Sequence, residues 1–260
     1  MRRVAMLMLL MMAATPVLVA QRGFDGGFGG RGGGRGLPPV ALVTNAPYDG
    51  RFEFLRIRYS AAGGLGSRDI KWAHDWARAE ANFTKILQEV SSVGTRTKES
   101  AVLGFDDPAL FEHTIAYIVE VGYWVPTESE VTSLRHWLRR GGFLIVDDFQ
   151  GRDIDNFERQ MQRVLPDARL LPVPPTHPVF DAFYHFTDFA GVVHPYSGQQ
   201  TSYWGIFERN DPTGRLMVMA NHNGDIAEYW EFADQGLFQI GPSNEAFKLG
   251  VNYIVYGLTR

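Results

Sequence analysis

The chain has 260 residues, of which 45% are hydrophobic, enough for one α/β domain of roughly 200 residues with a full core. Its formal net charge is −4 and becomes about −6 once Arg2 and Arg3 are removed, which argues against a nucleic-acid-binding domain. The chain has no cysteine, so disulfides, a lipid-attachment cysteine and a thiol nucleophile are excluded.

The first twenty residues have the pattern of an export signal. Arg2 and Arg3 form a basic start, residues 4–12 form an uncharged apolar core, and Ala20 ends a passable cleavage site. We therefore predict a signal peptide over residues 1–20 and an exported protein, periplasmic or otherwise extracytoplasmic. A retained N-terminal membrane anchor is the alternative, because residues 4–20 are just long enough to span a bilayer.

Glycine and arginine dominate the segment that follows the signal. Such a composition, clearest in residues 21–36, cannot bury enough apolar surface to offset the entropy lost on ordering. We predict a flexible linker over residues 21–50 and a single α/β domain over residues 51–260. Arg-Gly-Gly tracts can bind RNA, but a tract behind an export signal argues against a nucleic-acid partner.

The predicted domain begins with a strand, a loop and a helix. Residues 52–59 alternate and predict the first strand, and residues 60–67 form a glycine-rich loop. Asp69 is expected to cap a helix whose apolar residues recur at helical spacing, and His74 is expected to be exposed near the start of that helix. Residues 100–105 predict a short second strand.

The strongest pattern in the chain is a strand, a helix and a second strand in succession. Residues 114–119 are apolar and rich in β-branched side chains, Thr127 and Glu130 fit a capping box, and residues 143–146 form another apolar run. Strands that are apolar on both faces and joined through a helix indicate a parallel sheet covered on both sides. The sequence thus predicts an α/β fold with a mostly parallel sheet and helices on both faces.

The C-terminal half predicts two more helices and three more strands. A helix is expected to start at Asp155 and a strand to cover residues 169–171. Residues 203–207 and 215–220 predict two strands joined by a turn, and residues 245–258 predict the last helix.

Polar or glycine-rich segments follow four of the predicted strands, and ligands of open parallel sheets bind beyond the carboxyl ends of their strands. We therefore expect residues 60–67, the Tyr123 turn, the Asp147–Asp148 pair and residues 221–225 to converge on one edge. The candidate ligand-binding residues are Asp147, Asp148, His177, Asn221, Asn223, Asp225 and Tyr123.

These residues allow both functional and structural interpretations. An aspartate after the buried strand suits a metal ligand, a general base or a hydrogen-bond acceptor for a ligand, or it accepts backbone N–H groups of residues 149–152. His177 suits either a ligand or a capping, packed histidine. No cofactor is expected apart from a possible divalent metal, for which the candidate ligands are Asp148, His177, His222 and Asp225.

Familiar catalytic and nucleotide-binding motifs are missing. The loop at residues 63–67 lacks the lysine of a Walker loop, and Asp69 occupies the third-glycine place of a dinucleotide fingerprint. No G-x-S-x-G elbow and no H-E-x-x-H pair occurs in the sequence.

Several motifs in combination resemble one bacterial family, the domain of unknown function 4159, over residues 52–258. The motifs that carry the resemblance are residues 117–123, 128–134, 141–148, 175–180, 223–225 and 245–252. The resemblance implies a flavodoxin-like fold related to the class I glutamine amidotransferases and an exported or membrane-associated protein. In amidotransferases a cysteine stands in the turn that corresponds to residues 122–124, so the chain cannot use their chemistry.

Two functions remain from the sequence. The first is a non-catalytic exported domain that binds an unknown ligand or a cell-envelope protein on an amidotransferase-like scaffold. The alternative is a metal-dependent hydrolase acting on a cell-envelope component through Asp148, His177, His222 or Asp225. Association with a membrane complex, with residues 21–36 as the tether, is a variant of the first.

Overall fold

The computed structural model describes residues 45–60 and 69–260, which form a seven-stranded sheet in the order β2-β1-β3-β4-β7-β6-β5. Strands β2, β1, β3, β4 and β7 run parallel, whereas at one edge β6 pairs antiparallel with β7 and β5 pairs antiparallel with β6. The α/β class and the mostly parallel sheet are therefore confirmed. The strands are β1 Phe52–Ile57, β2 Thr95–Leu103, β3 Ile115–Val119, β4 Phe143–Phe149, β5 Leu171–Pro172, β6 Ser202–Phe207 and β7 Leu216–His222.

Helices cover both faces of this sheet because the central strands are apolar on both sides. On β4, Leu144 and Val146 belong to the core beneath α2 and α3, whereas Phe143 and Ile145 belong to the core beneath α1, α4 and α5. Successive residues of a strand point to opposite faces, which is why one strand serves both cores. The helices are α1 Arg78–Val90, α2 Glu128–Arg139, α3 Asp153–Val164, α4 Ile226–Glu231 and α5 Ile240–Thr259.

The capping box predicted at the start of α2 is present. Thr127 Oγ1 accepts the Glu130 N–H at 3.2 Å, and Glu130 Oε2 accepts the Thr127 N–H at 2.8 Å. These two bonds satisfy backbone donors that the first turn of a helix leaves free. Local chemistry therefore decides where α2 begins.

The prediction that Asp69 caps α1 is wrong by eight residues, since the N-cap is Ala77 and the helix begins at Arg78. Only a short 3-10 turn, Lys71–Ala73, precedes it, and Asp75 has a left-handed backbone with φ of 64°. A continuous helix cannot contain such a residue. The segment from Asp69 to the start of α1 is therefore a loop, and it lies at the carboxyl end of the sheet.

One further difference concerns the start of the domain. The Asn45 amide bonds both backbone groups of Val102 in β2, so contact with the sheet begins before the predicted boundary at residue 51.

The predictions for residues 1–44 and for the glycine-rich loop at 61–68 lie outside the described residues. Within residues 45–60 and 69–260, no helix is both long and apolar enough to cross a membrane.

Candidate functional site

Three adjacent parallel strands end at one edge of the sheet with residues of unusual backbone geometry. Glu120 follows β3 with φ of 52°, Asp148 lies near the end of β4 with φ of 49°, and Asn223 follows β7 with φ of 59°. Non-glycine residues rarely adopt left-handed backbone, and they concentrate at sites where the chain must turn sharply. We call this region the carboxyl edge.

Asp147 is fully buried at this edge and acts as a hydrogen-bond hub. Its Oδ2 accepts the Tyr117 hydroxyl at 2.6 Å and the backbone N–H groups of Ile226 at 2.8 Å and Ala227 at 3.3 Å, while Oδ1 accepts Asn221 Nδ2 at 3.0 Å. Burial raises the pKa of Asp147, and these donors oppose the shift. Asp147 therefore links β3, β4, β7 and the first turn of α4.

Asn221 extends this network to the last helix. The Tyr253 hydroxyl donates to Asn221 Oδ1 at 2.7 Å, so both ends of the buried amide are satisfied. The sequence predicted that Asp147 or Asp148 accepts backbone N–H groups of residues 149–152. Two of those N–H groups bond other side chains instead, so the prediction is wrong for them. Gln150 N donates to Asp153, and Gly151 N donates to Asn223 Oδ1. Asp147 and Asn221 accordingly have a structural role, because they connect β3, β4, β7, α4 and α5 beneath the carboxyl edge.

Asp148 faces a different group of side chains, built around His74. His74 Nδ1 lies 3.0 Å from Glu120 Oε1 and 3.6 Å from Asp148 Oδ2, and His74 Nε2 lies 2.6 Å from Asp69 Oδ1. Burial alone would lower the pKa of His74, but its hydrogen bonds to Asp148, Glu120 and Asp69 raise that pKa to about 11. The imidazole is therefore a cation at neutral pH.

Lys71 and Tyr123 complete the rim of this group. Lys71 Nζ lies 2.8 Å from Asp69 Oδ2 and 3.1 Å from Glu120 Oε1, and it sits 4.5 Å above the centroid of the Tyr123 ring. The Tyr123 side chain is 40% exposed. Tyr123 therefore lies at the carboxyl edge, where it supports a lysine.

A second group of acidic side chains lies beside the first. Carboxylate oxygens of Asp75, Asp225 and Glu228 all lie within 4.8 Å of one another. Asp225 caps α4 by accepting the Glu228 N–H at 3.0 Å, and the Tyr196 hydroxyl donates to Glu228 Oε1. Burial raises the pKa of Asp75 and Asp225, and it raises the pKa of Glu228 to about 7. We call these three residues the acidic triad.

Asp75 is the least satisfied member of the triad. Its Oδ2 is buried, and no donor among the described residues reaches it. The Asp75 and Glu228 carboxyls can share a hydrogen bond when one of them holds a proton. A proton or a bound cation is therefore needed to offset the repulsion between these groups.

His222 and Asn223 fix loops beside the triad. His222 Nε2 lies 2.9 Å from the Gly151 carbonyl oxygen, and His222 Nδ1 lies 3.2 Å from Ser202 Oγ. Asn223 Oδ1 accepts the Gly151 N–H at 2.9 Å. Both His222 ring nitrogens are thus occupied by protein groups. The expectation that His222 joins Asp225 as a metal ligand is not supported by this geometry.

His177 does not reach the carboxyl edge, which corrects the expectation that it joins Asp148 or Asp225. Its ring packs 5.5 Å from Phe207 and 5.6 Å from Tyr256, and its Nδ1 accepts the Val179 N–H at 3.2 Å. Phe207 pairs with the first residue of β7, roughly 20 Å from the end of that strand. The structural interpretation of His177 as a capping, packed histidine therefore applies.

Six residues at the edge were not predicted as site residues: Asp69, Lys71, His74, Asp75, Glu120 and Glu228. The expectation of an exposed His74 is wrong, since its side chain is only 24% exposed. Glu120 carried a usable signal, because it directly follows a buried strand. Glu228 stands three positions after Asp225, the spacing of a capping pair, which indicates a helix start that we did not predict.

The structure thus places five predicted residues, Asp147, Asp148, Asn221, Asn223 and Asp225, along the carboxyl ends of β4 and β7, with Tyr123 at the rim. A protein-family model described as a domain of unknown function, DUF4159, matches residues 53–258. No curated protein matches the chain.

Proposed function

The chain belongs to the DUF4159 family, and from this premise we propose that it is an exported, non-catalytic domain that binds a positively charged ligand at the carboxyl edge. The observation that carries the proposal is an excess of negative charge at this edge. The carboxylates of the two groups are Asp69, Asp75, Glu120, Asp148, Asp225 and Glu228, whereas the cations among them are Lys71 and His74.

The excess is concentrated where water is scarce, so it attracts cations more strongly than an exposed acidic surface does. Asp225 is 5% exposed and Glu228 is 8% exposed. Charges in such surroundings interact through a lower effective dielectric constant than charges in bulk water. A cationic ligand at this edge would neutralise the carboxyl groups of Asp75, Asp225 and Glu228, with which neither Lys71 nor His74 forms an ion pair.

The scaffold that carries this edge is proposed to be flavodoxin-like and related to the class I glutamine amidotransferases. The five parallel strands have the order β2-β1-β3-β4-β7, which corresponds to the 2-1-3-4-5 order of flavodoxin-like sheets. The residues of the carboxyl edge follow β1, β3, β4 and β7, as the ligand-binding loops of such sheets do. The chain has no cysteine to serve as an amidotransferase nucleophile, which supports a binding role.

Export is proposed from the sequence alone, on the basic start and apolar core of residues 1–20. Those residues lie outside the part of the chain that the structure describes. Fractionation of a bacterial host that expresses the full chain tests it. We expect the protein in the periplasmic fraction with a shortened N-terminus, and a membrane-bound full-length chain would indicate the retained anchor instead.

Ligand binding is tested by calorimetric titration of the full chain with divalent metal ions and with organic amines such as spermidine. We expect at least one of these cations to bind, and Asp148→Asn to weaken that binding several-fold because it removes a negative charge from the edge. The matched control is Asp167→Asn, which removes an exposed carboxylate at the far end of α3. Absence of binding, or equal effects of both variants, would contradict the proposal.

A metal-dependent hydrolase of a cell-envelope component is the second candidate. The observation that favours it is the position of Glu228, which lies within 4.8 Å of Asp75 and Asp225 and whose pKa burial raises to about 7, as suits a general base beside a metal-bound water. Cell-wall fragments incubated with the protein and a divalent metal test this candidate. If the wild type hydrolyses the fragments and Glu228→Gln does not, the proposed binding role is replaced by a catalytic one. Fragments that stay intact would leave the proposed binding role in place.

A further inference from the structure

The acidic triad combines three carboxyl groups from two separate parts of the chain. Asp75 comes from the loop before α1, Asp225 caps α4, and Glu228 lies in the first turn of α4. Asp75 is 150 positions before Asp225 in the sequence, so only the tertiary fold brings them together. The left-handed backbone at Asp75, with φ of 64°, favours a short polar residue there, so the clustering does not by itself define a site.

Asp75 also supplies an observation that is independent of the clustering. Its Oδ2 is buried without a donor among the described residues, and one of its two carboxyl oxygens lies within 4.8 Å of one oxygen of Asp225 and one of Glu228. A buried carboxylate oxygen without a partner costs free energy unless a proton or a cation occupies the space beside it. A positive charge beside Oδ2 would remove this cost, so the acidic triad has the arrangement expected of a cation site.

Among the described residues no protein cation supplies that charge by direct contact, although the positive charge of His74 lowers the pKa of Asp225 and Glu228 from beyond ion-pair distance. Across residues 45–60 and 69–260, no lysine or arginine forms an ion pair with a member of the triad. Lys71 and His74 pair with Asp69 and Glu120. The Tyr196 hydroxyl donates to Glu228 but carries no charge.

We propose that Asp75, Asp225 and Glu228 bind one divalent metal ion of the class that prefers oxygen ligands, such as Mn²⁺, Mg²⁺ or Ca²⁺. This inference rests on the proposed function and deepens it by naming the class of cation. Oxygen ligands lie about 2.0–2.6 Å from such ions, so two oxygens across one ion are separated by at most about 5 Å. The spacing within the triad satisfies this limit for all three residues.

The neighbouring group supports the site by charge. Asp148 is close enough to raise the pKa of Asp75, Asp225 and Glu228. Its carboxylate therefore adds to the negative potential at the bound ion without being assigned as a ligand. Three carboxylates leave coordination positions for water or for an oxygen atom of a further ligand.

This proposal is tested by titrating the full chain with MnCl₂ after treatment with a chelator. Calorimetry and the electron paramagnetic resonance signal of free Mn²⁺ measure the binding. We expect one Mn²⁺ per chain, and at least tenfold weaker binding in Asp75→Asn and in Glu228→Gln, each of which removes one carboxylate ligand. The matched controls are Asp167→Asn and Glu112→Gln, which change exposed acidic residues and should bind as the wild type does.

Thermal unfolding separates loss of the site from loss of the fold. Without metal, both triad variants should melt at or above the wild-type temperature, because each relieves repulsion among buried carboxyls. Mn²⁺ should raise the melting temperature of the wild type and of the controls but not that of the triad variants.

The outcomes also distinguish this inference from the proposed function. Mn²⁺ binding that survives both triad substitutions would overturn the triad as the site. Spermidine binding that depends on Asp148, with no metal bound, would overturn the inference and leave the proposed function standing. Absence of any bound cation would overturn both.

Discussion

Two adjacent aspartates at the end of β4 show how one residue step changes a role. Asp147 is fully buried and holds four hydrogen bonds, whereas the side chain of Asp148 is 20% exposed and faces His74. The φ of 49° at Asp148 turns the chain at this point. The pair therefore divides into one structural carboxylate and one carboxylate at the candidate site.

We expect Asp147→Asn to lower the free energy of unfolding by about 2–3 kcal/mol, because the new amide nitrogen would face a donor such as Asn221 Nδ2. Asp148→Asn should change that free energy by only about 0.5 kcal/mol, since asparagine tolerates left-handed backbone. Urea denaturation measures both variants. Similar losses of stability for the two would show that this division of roles is incorrect.

Glu228 should make stability depend on pH in the metal-free protein. Burial raises its pKa from 4.5 to about 7 in the folded state, so the native chain retains a proton that the unfolded chain loses. The resulting stabilisation is complete below pH 4.5 and is lost as the pH rises through about 7. It amounts to at most about 3 kcal/mol.

Chemical denaturation of the wild type and Glu228→Gln, measured with a chelator between pH 4.5 and 8, checks this expectation. The glutamine does not titrate, so the difference in stability between the two proteins should change with pH in the stated direction. A difference in stability that stays constant over this pH range would mean that the pKa of Glu228 is the same in the folded and the unfolded chain.

At the scale of elements, α5 packs closely against α1 and α4 because it presents a glycine to them. A Cβ atom on Gly250 would lie 2.5 Å from Trp230 Cζ2 and 2.6 Å from Phe83 Cε2. Phe83 belongs to α1 and Trp230 to α4, so the small residue lets three helices meet over one face of the sheet. Overpacking at such a position forces neighbours to move.

We expect Gly250→Ala to lower the free energy of unfolding by about 1–3 kcal/mol through this overpacking. Gly241→Ala, in the first turn of the same helix, should leave it unchanged or raise it by up to about 1 kcal/mol, because no atom lies within 4 Å of its added methyl group. Thermal and urea unfolding of both variants measure the contrast. Equal effects would show that α5 is packed loosely.

At the scale of the molecule, the sheet separates two cores that share every central strand. Leu144 contributes to one core and Ile145 to the other, although they are neighbours on β4. Loss of packing on either face disturbs strands that also serve the opposite face. The two cores should therefore unfold together as one cooperative unit.

Leu144→Ala and Ile145→Ala should each lower the free energy of unfolding by about 2–5 kcal/mol, because each leaves a cavity in a filled core. Tryptophan fluorescence and far-ultraviolet circular dichroism should report the same transition midpoint within each variant. Separate midpoints would indicate that the two helical layers unfold independently.

Local sequence patterns were enough to predict the α/β class, the start of α2 and the edge at which polar residues gather. These depend on near neighbours: the Thr127–Glu130 capping box is complete within four residues, and the apolar run of β4 reveals a strand buried on both faces. Parallel strands then place Asp148 and Asp225 at a common edge. Each of these predictions follows from local chemistry and one rule of topology.

Which side chains meet at that edge depends instead on long-range packing. His74 and Asp75 reach it because their segment is a loop rather than the predicted helix, and Glu228 reaches it through α4. His177 is kept away because it packs where antiparallel β6 ends, at the opposite end of β7. Contacts between residues far apart in sequence depend on the path of the whole chain, which local patterns do not encode.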